Sequence, residues 1–194
     1  MSFSAEFTST HLPTPYGSFQ LHVRTDSTDE QAPILLTMGD LRGKPPLVRL
    51  HSECLTGDAL HSLRCDCGFQ LKAALSFIAT EQRGAIVYLR QEGRGIGLVN
   101  KLRAYALQDQ GLDTVEANLK LGFEPDQRDY GEAVSLLKSL ELSAVRLMTN
   151  NPAKVQALRQ AGIAVTERVP IDVGNNSHNV RYLMAKSRKL GHLL

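Results

Sequence analysis

Residues 85–97, AIVYLRQEGRGIG, decide the reading of this chain. Ala85 to Leu89 is a short apolar run rich in β-branched and aromatic side chains and reads as a buried strand. Arg90 to Gly97 is polar and glycine-rich. Beyond it Leu98, Leu102, Tyr105 and Ala106 recur at helical spacing. Strand, polar loop and helix in that order form the repeating unit of an α/β sheet, whose ligands lie beyond the carboxyl ends of its strands. Glycines in such a loop let backbone N–H groups approach an anion at a helix N-terminus, and Arg90 and Arg94 offer guanidinium clamps. The spacing Gly93-x-Gly95-x-Gly97 matches neither the dinucleotide fingerprint nor the Walker loop, so a plain tight turn competes with an anion site.

The same pattern extends outward. Phe19, Leu21 and Val23 alternate with polar neighbours, and Pro33–Leu36 and Leu47–Leu50 are further short strands. The first part is therefore β-rich, and its first dozen residues, polar throughout, are expected to fray. Leu71, Ala74, Leu75 and Ile78 form a helix beginning near Phe69 and ending at Gly84. Ala133–Leu140, Pro152–Gln160 and Val180–Leu190 read as helices, the last one basic; Val145–Met148 and Ile163–Val169 read as strands. The expectation is one α/β domain over residues 1–194, a mixed sheet with flanking helices and an antiparallel start, with about 1–12 and the last few residues disordered. If the strands run parallel, the segments Arg49–Glu53, Arg90–Gly97 and Thr149–Lys154 share one edge and face one pocket.

All three cysteines fall within one window: Cys54, then Cys65 and Cys67. Three clustered thiolates suit zinc and leave one tetrahedral position open. Buried free thiols are a weaker reading, because the flanking segment is polar. A disulfide is weaker still, because Cys65 and Cys67 are too close for easy bridge geometry and the count is odd. A structural zinc closed by His51, His61 or Asp66 competes with a catalytic one, and spacing alone leaves the two open.

Composition narrows the partners. The 194 residues are 42% hydrophobic and 22% charged with net charge +2, ordinary for a soluble globular protein. A chain of this length buries roughly 70% of its unfolded surface and does not need zinc to fold. Basic residues are dispersed, which argues against duplex nucleic acid, and no apolar run approaches a membrane span. The start MSFSAEFTST carries no signal-peptide pattern, so a reducing cytoplasm is expected. The segment Glu124–Tyr130 reads by itself as a charged surface turn.

Taken together, the stretches RLHSECLTGDALHSLRCDCGFQL (49–71), YLRQEGRGIGLVNKLRAYALQDQGLDTVEAN (88–118), LGFEPDQRDYG (121–131) and LMTNNPAKVQAL (147–158), with the closing KLGH (189–192), resemble the GTP cyclohydrolase II family. The resemblance implies that family's fold, and GTP hydrolysis to a diamino-ribosylaminopyrimidinone 5′-phosphate, formate and pyrophosphate at the start of riboflavin biosynthesis. It implies a catalytic zinc on Cys54, Cys65 and Cys67, magnesium on the triphosphate, and a homodimer. Matching GTP-contacting positions are Arg49, Leu50, His51, Ser52 and Glu53, then Gln70, then Glu92, Gly93 and Arg94, and finally Thr114, Thr149 and Lys154. Asp126, Arg128 and Tyr105 match the catalytic positions: a proton acceptor, an assigned nucleophile and a hydrogen-bond donor. A guanidinium is a poor nucleophile, so charge stabilisation is the more ordinary task for Arg128. The chain has no room for the synthase domain fused in bifunctional relatives and is expected to be monofunctional. His61 departs from the family, which more often has an apolar or aromatic residue there.

Overall fold

The computed structural model describes residues 6–26 and 32–193. Among these residues seven strands form one mixed sheet: β1 (Phe7–Thr14), β2 (Gly17–Arg24), β3 (Ile34–Met38), β4 (Leu47–Ser52), β5 (Gly84–Leu89), β6 (Ala144–Met148) and β7 (Ala164–Val169). Their spatial order is β1-β2-β3-β5-β4-β6-β7. The first three strands form an antiparallel meander whose last member runs antiparallel to β5. Strands β5, β4, β6 and β7 are mutually parallel. This is the mixed α/β architecture expected from the sequence.

Among the described residues, seven α-helices connect and cover the sheet: α1 (Leu55–Asp58), α2 (Cys67–Glu81), α3 (Gly97–Asp109), α4 (Thr114–Lys120), α5 (Gly131–Ser139), α6 (Pro152–Gln160) and α7 (Val180–Leu190). The period-2 alternation of the strands divides the core into two faces. Val48, Leu50, Val87, Leu89, Val145 and Leu147 pack on one face against Leu136 and Leu137 of α5 and Leu158 of α6. Leu47, Ile86 and Met148 pack on the other, against Ala74 and Ile78 of α2.

Several expectations need correction. Residues 7–14 do not fray: β1 pairs with β2 from Phe7↔Arg24 to Thr14↔Gly17. Backbone ladder bonds need no apolar side chains, and Phe7 packs against the core, so a polar edge strand is held. The expectation for residues 1–5 and Leu194 lies outside the described residues. Helix α2 starts at Cys67 rather than near Phe69. It ends on Gln82, whose left-handed φ of 55° lets its N–H bond Ala79 and Ile78 carbonyls; Gly84 already belongs to β5. Strand β4 runs to Ser52, so Arg49 and His51 are buried strand residues, not loop residues.

Leu147 is fully buried on the parallel half of the sheet. Leu147→Ala should lower unfolding stability by about 2–5 kcal/mol through lost burial and a residual cavity. Urea denaturation checks this, and a loss below half a kcal/mol would contradict the packing described.

Candidate metal centre and anion cavity

The parallel strands bring the three polar segments to one edge. A cavity opens there. It is lined by side chains following β4, β5 and β6 and by α7 at its far wall. Of the positions expected to contact substrate or metal, nearly all line it, including Arg49, Glu53, the three cysteines, Gln70, Arg94, Tyr105, Thr114, Arg128, Thr149 and Lys154. Leu50 and Asp126 do not. Leu50 is fully buried and contributes only its carbonyl, which accepts from Lys154 Nζ at 2.7 Å. Asp126 stands behind Arg128, paired to it through two side-chain bonds of 2.8 and 2.5 Å.

The sulfurs of Cys54, Cys65 and Cys67 lie within 4.8 Å of one another, and Cys54 and Cys65 are 3.6 Å apart. Tetrahedral thiolates at about 2.3 Å from zinc stand about 3.8 Å apart, so donor set and spacing fit that ion. Two glycines make the cluster possible. A Cβ on Gly57 would meet Cys65 Sγ at 2.8 Å and Cys54 Sγ at 3.2 Å. A Cβ on Gly68 would meet the Gly57 carbonyl oxygen at 2.1 Å. Backbone therefore packs on backbone where α1 meets α2, and the three thiols converge over that contact. Thiol hydrogen bonds from Cys65 and Cys67, and then the charge of Lys101, hold the Cys54 thiol far below its ordinary pKa. The bond with Cys54 pushes Cys65 up to about 11, and bonds with both neighbours raise Cys67. Three thiolates this close need a cation to be charged together.

Among the described residues no histidine or carboxylate joins the sulfur group. The side chain of His51 bonds Asp58 at 3.1 Å, and Asp58 also accepts from Tyr88 Oη and the Cys54 N–H, each at 3.0 Å. Asp66 accepts from Gln70 and Lys186. His61, exposed and at a positive φ of 56°, sits 3.4 Å from Lys72 Nζ. None of the three residues considered as a closing ligand therefore closes the site.

The rest of the cavity is cationic. Arg49 donates to the Met148 carbonyl at 3.1 Å and to Gln70 Oε1 at 2.6 Å; Gln70 donates to Asp66, which accepts Lys186 Nζ at 2.5 Å. Both terminal nitrogens of Arg94 are buried without a hydrogen-bond acceptor among the described residues. Arg94 itself is held at φ 63° between Gly93 and Gly95, also at positive φ, in a left-handed turn that costs a non-glycine residue energy. Gln127 N–H bonds the Arg94 carbonyl at 3.2 Å, so segment 124–130 clamps the glycine loop instead of forming a free surface turn. Burial, then repulsion from Arg49, Arg128 and Lys186, drives the Lys154 pKa well below its ordinary value. Burial, then repulsion from Lys186, Arg128, Arg94 and Lys154, brings His192 down to about 3. Unpartnered guanidinium nitrogens and mutually repelling cations mark a cavity built for a multiply charged anion.

Reasoning from sequence missed several contributors. Lys101 donates to Cys54 Sγ at 3.1 Å and to Glu92 Oε1 at 2.7 Å. Glu92 also accepts from the Leu55 and Gly93 N–H groups, both at 2.7 Å, so its carboxylate braces the loops around the thiols. Tyr182, Lys186 and His192 reach the cavity from α7 and the tail. Helical spacing held a signal for two of these: Lys101 precedes Tyr105 by one turn, and Lys186 follows Tyr182 by one turn.

The fold and site define a mixed α/β protein with a three-thiol group able to hold a metal ion in the wall of a cationic cavity. The family model for GTP cyclohydrolase II matches residues 5–170, and the chain belongs to that family. It is 62% identical over 184 residues to a protein named GTP cyclohydrolase-2 from Azotobacter vinelandii, covering 94% of this chain and 88% of that one. A protein of the same name from Actinobacillus succinogenes is 54% identical over 94% of this chain and 85% of its own length. Among solved structures, RibBX, a two-domain 3,4-dihydroxy-2-butanone 4-phosphate synthase from A. baumannii, is similar with a TM-score of 0.50 at 20% identity. That match spans 85% of this chain and 39% of RibBX, and it speaks to the fold alone. No helix among the described residues is long and apolar enough to cross a membrane.

Gly57→Ala should expel a sulfur from the cluster, because the added methyl meets two Sγ atoms at or inside contact distance. Zinc content by mass spectrometry should fall well below one per chain while circular dichroism stays native-like. Full zinc occupancy in this variant would refute the cradle role of Gly57.

Proposed function

We propose that this chain hydrolyses GTP to 2,5-diamino-6-ribosylamino-4(3H)-pyrimidinone 5′-phosphate, formate and pyrophosphate, the opening step of riboflavin biosynthesis. The observation that carries the reading is the meeting, in one cavity, of a three-thiol metal centre with the acceptor-free guanidinium of Arg94. One feature suits attack on a purine carbon and the other suits a triphosphate. Magnesium enters on the phosphates, the enzyme works as a cytoplasmic homodimer, and neither nucleic acid nor membrane is a partner.

Cys54, Cys65 and Cys67 hold the zinc, which when bound supplies a Lewis acid that activates and places a water. Arg94, Lys154 and Lys186 receive the triphosphate and are relieved of mutual repulsion by it. Arg49, Gln70, Thr114 and Thr149 line the same space and orient the nucleotide. Tyr105 is pushed up to about 12, mainly by burial, so at neutral pH it keeps its proton and acts as a donor. Burial acts to lower the Arg128 pKa, but the Asp126 hydrogen bonds and charge outweigh it and raise the value, keeping the guanidinium protonated. That supports charge stabilisation at the α-phosphate over nucleophilic attack. Burial acts to raise the Asp126 pKa, and the hydrogen bonds and charge of Arg128 reverse this and lower it. A weakened base so paired suits holding Arg128 in place better than accepting a proton.

Purified protein with zinc, magnesium and GTP should release formate and pyrophosphate together. GTP binding without formate would reduce the chain to a nucleotide-binding module, and a product retaining the formyl mass would mark ring opening alone. Tyr105→Phe should lower kcat at least 100-fold, the usual scale for loss of a positioned proton donor, with GTP affinity retained. Arg94→Gly should weaken GTP binding at least tenfold in calorimetry without lowering thermal stability, since it removes an acceptor-free buried guanidinium and relieves left-handed backbone.

A further inference from the structure

We propose that Lys101 is a positioning residue of the metal centre: its ammonium, aimed by Glu92, withdraws electron density from the Cys54 thiolate and so preserves the Lewis acidity of the ion held there. The inference rests on the proposed zinc-dependent hydrolysis and deepens it. Three thiolates donate strongly and leave a divalent ion with net charge −1, a poor state for activating a nucleophile. A charge-assisted hydrogen bond to one sulfur counters that donation, and partners of this kind around a metal site tune its chemistry.

The geometry is specific. Lys101 is 7% exposed, and its Nζ lies 3.1 Å from Cys54 Sγ. Its second partner is Glu92 Oε1 at 2.7 Å. Glu92 is itself fixed by the N–H groups of Leu55, the residue following the ligand, and of Gly93. Gly93 is needed on steric grounds too, because a Cβ there would meet Ile96 Cγ1 at 3.0 Å and Lys101's own Cβ at 3.1 Å. Glycine loop, carboxylate and ammonium thus form one unit whose far end is a ligand sulfur. A salt bridge serving only stability gains little from burial, since desolvation offsets the attraction. A buried ammonium turned towards a thiolate has a use there.

Cobalt(II) replaces zinc in wild type, Lys101→Gln, Lys101→Arg and Glu92→Gln, and the sulfur-to-cobalt charge-transfer band is recorded without GTP. Lys101→Gln should move the band to lower energy, because an unbonded thiolate donates more readily; Lys101→Arg should stay near wild type. Glu92→Gln, which loosens the anchor and keeps the lysine, should shift the band in the same direction by less, and it carries the test if Lys101→Gln does not fold. In the zinc forms, kcat for Lys101→Gln should fall about 10–100-fold with little change in KM. An unmoved band, or a loss confined to KM, would overturn the proposal and leave Lys101 a substrate contact. The band is read without turnover, so a wild-type protein that releases no formate would sink the proposed reaction while leaving the Lys101–Cys54 result readable.

Discussion

A buried chain of hydrogen bonds runs from the Met148 carbonyl through Arg49, Gln70 and Asp66 to Lys186, and it ties the centre of the sheet to α2 and α7. Asp66 is its pivot. It stands between two of the thiols, at the N-cap of α2, where the helix dipole favours its charge. Its two oxygens orient Gln70 on one side and Lys186 on the other. Removing one partner would leave a buried charge uncompensated, which typically costs about 3–5 kcal/mol. The position of the thiols, the wall formed by α7 and the placing of Arg49 therefore depend on a single carboxylate.

The charge balance around that pivot explains the character of the cavity. Asp66 answers Lys186, and Asp126 answers Arg128, but among the described residues Arg94 has no acceptor for its terminal nitrogens and Lys154 has no carboxylate, donating to a carbonyl and facing the Tyr130 ring. Acidic groups sit instead near the thiols, where Asp58 gathers His51, Tyr88 and the Cys54 N–H and Glu92 holds Lys101. The three thiols could hold a metal ion, and the same cavity carries the cationic Arg94 and Lys154, whose charge suits an anion. The nucleotide triphosphate proposed as substrate suits that combination.

Much of the fold was legible because the short apolar runs of β4, β5 and β6 and the 3.6-residue period of α2 and α3 survive in the sequence. Strand β1 escaped notice because its side chains are mostly polar and its stability comes from backbone pairing. Helix α4 escaped although Asp113 and Glu116 form a capping box, a signal present in the sequence as D-T-V-E. Helix α1 is four residues long, too short for any periodicity.

By itself the sequence determined the donor set and the order of the loops: three thiols in one window, a glycine loop after a strand, and a threonine-asparagine segment after another. These are local matters of residue type and spacing. Only the tertiary structure decided what meets what. Parallel pairing of β4 with β5 and β6 brings those segments to one edge, the Gly57–Gly68 contact lets the sulfurs converge, and α7 returns from far along the chain to set Lys186 on Asp66. It also decided that His61 faces Lys72 and that Lys101 faces Cys54. Such pairings depend on which faces are buried together, and spacing along a chain carries no record of that.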